Sequence, residues 1–219
     1  MSPAPDKRFY TAPFHQLEAE LRPVLDEFAT GDPLRPRRVV VISSQLREHL
    51  EIAMARGGAL AGVSFHTLGR ISRSAAQPII NQLDKKQLPP LGGEAVARRV
   101  LEEIAPKLGP LRPPVGVEGW GEAAWETYKD LKESELSPES LRAAASGHVK
   151  GEAERLADLA LIAESIHERL VALNLYDETE VLRLAAEALE AAPATVAAPA
   201  GIPTIFYGFA DMNALQRRL

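Results

Sequence analysis

The segment "RVVVIS", residues 38–43, constrains the fold of this chain more than any other stretch. Its run of consecutive β-branched residues predicts a strand buried on both faces, which is typical of parallel sheets covered by helices. A helical pattern follows over residues 44–58, and a second strand pattern, "GVSFHT", covers residues 62–67. Because a strand, a helix and a strand at this spacing predict parallel pairing with a right-handed crossover, we expect an α/β fold with a parallel sheet flanked by helices.

The middle of the chain follows a helical period instead. Residues 81–192 contain apolar positions at helical spacing, joined by proline-rich segments, and no convincing strand pattern. A strand pattern, "TIFYGF", returns at residues 204–209. We therefore expect residues 1–80 to form the first part of a sheet domain, residues 81–200 an all-helical insertion, and residues 201–219 the strand and helix with which the sheet domain resumes.

The composition excludes several classes of site. The chain has 219 residues and no cysteine, which excludes a disulfide framework, a cysteine zinc site and an iron–sulfur cluster within these residues. No segment approaches the roughly 20 apolar residues of a membrane-spanning helix. The start of the chain lacks the apolar core of a signal peptide, so we expect a cytoplasmic protein. The histidines have no metal-ligand spacing, and we expect neither a metal ion nor a cofactor in this part of the protein.

The charge is distributed unevenly along the chain. Residues 81–200 carry 21 acidic and 13 basic side chains, whereas the two ends of the chain are slightly basic. This distribution permits a nucleic-acid contact at the ends but does not indicate one by itself, because an electrostatic footprint requires clustered positive charge.

Polar residues stand where two of the predicted strands end. Ser43, Ser44 and Gln45 end the strand at residues 38–43, and His66 lies near the end of the next strand. Ligands of open α/β sheets bind at the carboxyl ends of the strands, so these residues are candidates for a binding site. Each also has a structural explanation: the first three form an ordinary strand end and helix cap, and His66 is a packed or hydrogen-bonded histidine.

Four segments of the chain, in order, resemble the first RecA-like lobe of superfamily 1 helicases of the UvrD/RecB type. They are "VVVISSQLREHL", "VSFHTLGRIS", "LYDETEVLRLAAEAL" and "IFYGFADMNALQ". In the last segment, the residues that match the family's Asp-Glu-Phe-Gln-Asp-Thr-Asn-x-x-Gln are Phe209, Asp211, Asn213 and Gln216. The resemblance implies a RecA-like, P-loop-type parallel sheet flanked by helices, with a large all-helical insertion.

The chain departs from that family where ATP chemistry takes place. Tyr207 and Gly208 stand at the position of the family's acidic pair, and Ala210 replaces a glutamine. The segment "YTAPFHQLEAEL" lacks the glycines, the lysine and the correctly spaced hydroxyl with which a phosphate loop wraps phosphate and binds magnesium. Tyr207, Gly208 and Asp211 therefore mark a degenerate Walker B position, and we expect no catalytic residue in the chain.

These departures resemble the AddB-type subunits of bacterial recombination helicase–nucleases and the related RecC-type subunits. In those subunits a helicase-like region serves as a scaffold for DNA. The resemblance implies that the chain is the N-terminal fragment of a longer DNA repair and recombination subunit, with a second lobe and any nuclease domain downstream. It also implies a partner motor helicase or nuclease subunit, and single-stranded or unwinding DNA as the ligand.

The resemblance puts the DNA contacts at the ends of the two predicted strands, with Phe65 as the stacking residue and Arg70 as the main electrostatic contact. The full predicted set of DNA-binding residues is Ser43, Ser44, Gln45, Arg47, Phe65, His66 and Arg70. Two alternatives stay open. One is a protein-interaction or structural α/β module without DNA contact, whose acidic helices form the docking surface. The other is an active ATPase with a divergent phosphate loop.

Overall fold

The computed structural model describes residues 10–29, 31–58, 60–115, 118–191 and 202–219, and of Phe14 it describes the backbone alone. The chain divides into two compact units. We call them the sheet unit, which comprises Met1–Ile71 and Pro193–Asp211, and the helical unit, which comprises Ser72–Ala192 and Met212–Leu219.

Strands and helices together make a mixed α/β structure that is mostly helical. The strands are β1 (Arg37–Val41), β2 (Val63–Thr67), β3 (Lys86–Gln87), β4 (Leu175–Tyr176) and β5 (Thr204–Tyr207). The helices are α1 (Phe14–Phe28), α2 (Ser44–Arg56), α3 (Leu68–Gln82), α4 (Gly92–Ile104), α5 (Trp120–Glu133), α6 (Pro138–Ala145), α7 (Lys150–Ala172), α8 (Glu178–Ala191) and α9 (Ala214–Arg218), with a short 3-10 turn at Ala105–Lys107. Among the described helices, none is long and apolar enough to cross a lipid bilayer.

The sheet unit contains a three-stranded parallel sheet in the order β2-β1-β5. The β-branched run predicted as a buried strand forms the central strand, and every residue of β1 is buried. The prediction of an α/β fold with a parallel sheet flanked by helices is confirmed at this level. The returning strand β5 pairs directly with β1, with Val41 opposite Tyr207.

The apolar core of the sheet unit lies between one face of this sheet and the helices α1 and α2. Side chains of a strand alternate between the two faces, so every second residue of β1 contributes to this core. Its buried members are Leu21, Leu25, Val39, Val41, Leu50, Met54 and Tyr207, and Leu17, Leu46, Leu60, Val63, Phe65 and Ile205 pack against them while partly exposed.

A buried arginine, Arg37, joins the segments that surround the amino end of β1. Arg37 is 3% exposed, and its guanidinium donates hydrogen bonds to backbone carbonyls. The acceptors are Leu25 at 2.9 Å, Pro33 at 2.8 Å, Arg35 at 3.1 Å, and Ala61. Because the planar guanidinium carries five donors in a fixed geometry, one side chain can join helix α1 to the loops that precede β1 and β2.

The helical unit has its own apolar core between α4, α5 and α7. Its buried members are Ala97, Val100, Leu101, Ile104, Leu108, Trp125, Tyr128, Ile162, Ala163, Ile166 and Leu170. A local signal in the sequence marks the start of α6. Ser137, which we expect from the sequence to cap a helix ahead of Pro138, accepts a hydrogen bond from the backbone N–H of Ser140 at 3.1 Å.

A network of buried charges lies at the start of α8. Glu180 is 5% exposed, and its carboxylate accepts hydrogen bonds from Lys85 at 2.9 Å and Arg183 at 2.8 Å. Lys132 lies 3.1 Å from Asp177, whose carboxylate also accepts the backbone N–H of Glu180 at 2.7 Å and so caps the helix. Burial alone would raise the pKa of Glu180, but the hydrogen bonds from Arg183 and Lys85 and the charge of Lys132 hold it well below its usual range.

Three features of the chain differ from the sequence pattern. β3 and β4 form a two-residue parallel pair, which no strand pattern indicates because both strands are too short to alternate between faces. The predicted boundary at residue 80 falls within α3, whereas the division between the two units falls after Ile71. Residues 212–219, including α9, belong to the helical unit, whereas the sequence pattern groups residues 201–219 with the sheet.

Candidate nucleic-acid interface

The carboxyl ends of β1, β2 and β5 lie at one edge of the sheet because all three strands are parallel. From the central strand β1 the chain passes through α2 to β2 on one side, whereas β5 lies on the other side. The crevice between β1 and β5 is therefore a topological switch point, where ligands of open α/β sheets bind.

The N-terminus of α2 begins directly beyond β1 at this edge. Ser43 is the N-cap, and its side-chain oxygen accepts a hydrogen bond from the backbone N–H of Leu46 at 3.2 Å. Ser44 and Gln45 follow in the first turn and are exposed. The helix dipole and the remaining N–H groups of a first turn favour an anion, so this position suits a phosphate.

Arginine charges cluster around His66, which is half-buried on β2. Burial lowers the pKa of His66 below its ordinary value, and the charges of Arg38, Arg70 and Arg47 lower it further, while Glu51 acts in the opposite sense. The histidine is therefore largely neutral at pH 7, in a region of positive potential. The fold thus brings together basic residues that are dispersed along the sequence.

Arg47 in α2 and Arg70 in α3 differ in the carboxylates that surround them. Arg47 lies 3.6 Å from the carboxylate of Glu48 and 3.8 Å from that of Glu51, so part of its charge is offset. Arg70 is exposed in the first turn of α3, where its backbone N–H donates to the hydroxyl of Thr67 at 3.3 Å. No carboxylate within the described ranges forms an ion pair with Arg70, whose charge is thus more available to a ligand.

Tyr207 ends β5 with its side chain buried in the apolar core of the sheet unit. It is 5% exposed and belongs to the same cluster as Leu21 and Leu25 of α1. Burial raises the pKa of the Tyr207 phenol, and the negative charge of Glu18 raises it further. The side chain at this position therefore meets hydrocarbon and not an open cleft.

Gly208 follows in a conformation that favours glycine. Its φ is +80°, a left-handed value that side chains rarely adopt. A Cβ atom at this position would lie 2.8 Å from the side-chain Cδ2 of Leu46 in α2. Both the backbone and the packing therefore oppose an acidic side chain at residue 208.

The residues after β5 that match the helicase pattern are accounted for by local structure. Asp211 is exposed near the end of the sheet unit. Asn213 and Gln216 form a capping box for α9, in which each side chain accepts a hydrogen bond from the other residue's backbone N–H. The side-chain amide of Asn213 also donates to Glu133 at 2.8 Å. The helical unit thus uses these two residues to begin a helix.

At the segment compared above with a phosphate loop, the described chain enters α1 directly. Residues 10–13 form no regular structure, and Pro13 is the N-cap of α1. Its carbonyl accepts hydrogen bonds from the backbone N–H groups of Gln16 at 2.9 Å and Leu17 at 3.1 Å. The segment has no glycine whose freedom would let successive amides surround a phosphate.

Phe65, the predicted stacking residue, packs against the apolar core of the sheet unit and is half-buried. Its ring also lines an open cavity of about 380 Å³ with Ala55 and Leu60, between α2 and β2. This packing accounts for Phe65 without DNA, and its role in stacking stays a prediction.

Phe206 of β5 has an exposed aromatic ring, although it is not among the predicted DNA-binding residues. Phe206 is 43% exposed, and its ring lies edge-to-face with that of Phe209 at a centroid distance of 5.9 Å. The alternation in "TIFYGF" places Phe206 and Tyr207 on opposite faces, but it does not indicate which face is covered.

Across the described parts of the chain, no three histidine, aspartate or glutamate side chains come close enough together to hold a metal ion. No known protein-family model matches the chain, and no curated protein has a sequence significantly similar to it.

Proposed function

We propose that this chain is a non-catalytic, helicase-like scaffold that holds single-stranded DNA at the carboxyl edge of its parallel sheet. In this proposal it is part of a cytoplasmic bacterial helicase–nuclease for DNA repair and recombination, with a partner subunit as the motor. The observation that carries the proposal is the convergence of Arg38, Arg47 and Arg70 around His66, beside the N-terminus of α2 and a topological switch point. A RecA-like fold is supported by the parallel order β2-β1-β5.

The mode of binding follows from the chemistry of this edge. Hydroxyl and amide groups of Ser44 and Gln45, the helix N-terminus and Arg70 are suited to phosphate oxygens, which are the same in every nucleotide. Such contacts position a strand without reading its sequence. Their affinity depends strongly on salt, because bound counterions are released when phosphates are neutralised.

The proposed lack of catalysis gives a first prediction. We expect no magnesium-dependent ATP hydrolysis by the purified chain, with or without single-stranded DNA, because the apolar packing of Tyr207 and the turn at Gly208 provide no carboxylate for a metal. The double variant Tyr207→Asp with Gly208→Glu is expected to stay inactive and to lose stability, since it buries a carboxylate and strains the turn. Phosphate release measured by a coupled assay tests both, and turnover by the parent chain above a no-enzyme control would contradict the proposal.

A second prediction concerns Arg70. Arg70→Ala is expected to weaken binding to all single-stranded sequences alike and to reduce the slope of log affinity against log salt by about one. Fluorescence anisotropy with a labelled oligothymidylate, titrated at several salt concentrations, measures both quantities. Arg56→Ala is the matched control, because Arg56 is exposed at the far end of α2, roughly 18 Å along the helix from its start. Equal losses in the two variants would show that the arginine contribution is not localised at this edge.

One observation favours the alternative of an interaction module. Leu83, Val171 and Leu173 are about half exposed at the ends of α3 and α7, which β3 and β4 bring together. The side-chain amide of Asn174 fixes this junction by donating to the carbonyl of Asp84 at 2.8 Å. Exposed apolar groups beside a charged helical surface are typical of protein contacts. A parent chain that binds no oligonucleotide even at low salt would favour this alternative over the DNA scaffold.

A further inference from the structure

The aromatic pair Phe206 and Phe209 lies beside the edge to which we assign DNA binding. Aromatic rings of this size usually bury most of their surface, yet Phe206 leaves 43% of its surface exposed. The neighbouring Tyr207 is 5% exposed on the opposite face of β5. Phe209, just beyond the end of β5, holds its ring at 68° to that of Phe206. An edge-to-face contact of this kind fixes the orientation of the exposed ring.

The register of the sheet sets the neighbours of this ring. Phe206 lies opposite Val40 of β1, and Val40 lies opposite His66 of β2. Since strands are about 4.8 Å apart, the Cα atoms of Phe206 and His66 are separated by about 10 Å. Arg38 is two residues before Val40 and is therefore on the same face as both. The exposed ring of Phe206 therefore shares one face of the sheet with His66 and Arg38.

We propose that Phe206, braced by Phe209, is a platform on which a base of single-stranded DNA stacks. This inference rests on the proposed function and assigns the aromatic contact to β5 instead of Phe65. The ligand is a nucleobase and not an apolar protein side chain, because an exposed ring beside clustered arginines complements a molecule that has both a flat π face and an anionic backbone.

Two oligonucleotide probes distinguish base stacking from contacts to the phosphates. One probe is a labelled 20-mer oligothymidylate, and the other is a 20-mer of the same charge whose sugars are abasic. We expect the parent chain to bind the thymidylate tighter than the abasic strand by about 5- to 150-fold, the range expected for stacking of a single base. Phe206→Leu should bring this ratio towards one without changing the salt slope, whereas Phe206→Trp should retain the ratio.

Tyr10→Leu is the matched control, because Tyr10 is an aromatic residue of the same unit that is 52% exposed and outside the sheet. It should leave the ratio unchanged, and thermal melting confirms that each variant is folded. A folded Phe206→Leu chain that keeps the parent's ratio would overturn the stacking platform while leaving the proposed DNA scaffold intact. A parent chain that binds neither strand at low salt would overturn both, and a parent that binds the two strands equally would overturn the platform alone.

Discussion

Arg37→Ala is expected to lower the free energy of unfolding of the sheet unit by about 3–5 kcal/mol. The substitution removes charge-assisted hydrogen bonds to the carbonyls of Leu25, Pro33 and Arg35 and leaves the buried carbonyl of Leu25 without this donor. It also removes a long side chain from a site that is 3% exposed. Because these acceptors belong to different segments, the loss should affect the anchoring of α1 as well as of β1.

Urea denaturation followed by circular dichroism measures this effect. Arg35→Ala is the matched control: Arg35 lies two residues away and is exposed, so its removal should change stability by no more than about 0.5 kcal/mol. Arg37→Lys should recover little of the loss, because a single ammonium group cannot reach several divergent carbonyls. Equal denaturation midpoints for Arg37→Ala and Arg35→Ala would contradict the structural role assigned here.

Glu180→Gln is expected to cost the helical unit about 3–5 kcal/mol, since it removes the carboxylate that pairs with Lys85 and one of the carboxylates that pair with Lys132 and Arg183. Glu178→Gln is the control from the same helix turn. The side chain of Glu178 is 64% exposed and pairs with Arg73 at the surface, where such a pair contributes about 0–1 kcal/mol. A loss no larger than that of the control would show that the network does not stabilise the fold.

The same carboxylate should make stability depend on pH. The folded pKa of Glu180 is held below its unfolded value of 4.5, so the unfolded chain binds the proton more tightly. Its contribution is therefore fully present above about pH 4.5 and decreases as the pH falls below that value. Glu180→Gln should flatten the dependence of the denaturation midpoint on pH in this acidic range, and an unchanged dependence would contradict the assignment.

Local chemistry explains which parts of the fold the sequence predicts. The β-branched run of β1 and the Ser137-Pro138 start of α6 depend on residues next to one another, and both appear as expected. β3 and β4 depend on pairing across 89 residues, from Lys86 to Leu175, and have no local signature. The role of Arg37 cannot be predicted for the same reason. An arginine at the start of a strand is expected to be exposed to solvent, and carbonyls from other segments surround it only in the fold.

The polar part of the candidate site can be predicted from the sequence. Ser43 as a helix cap follows from its position between a strand and a helix, and the cap is present. The aromatic part cannot be predicted in this way. Alternation places Phe206 and Tyr207 on opposite faces of the sheet, but it does not indicate which face is covered by helices. Strand pairing brings Arg38 near His66, and spacing along the chain does not reveal this proximity.

The turn at Gly208 has a consequence for how such a chain can evolve. An acidic residue there is disfavoured twice, because the left-handed φ of +80° strains its backbone and its Cβ would contact Leu46. Shortening Leu46 would relieve the contact but not the backbone conformation. A carboxylate at residue 208 would therefore require a change in the turn itself, and not only in one neighbouring side chain.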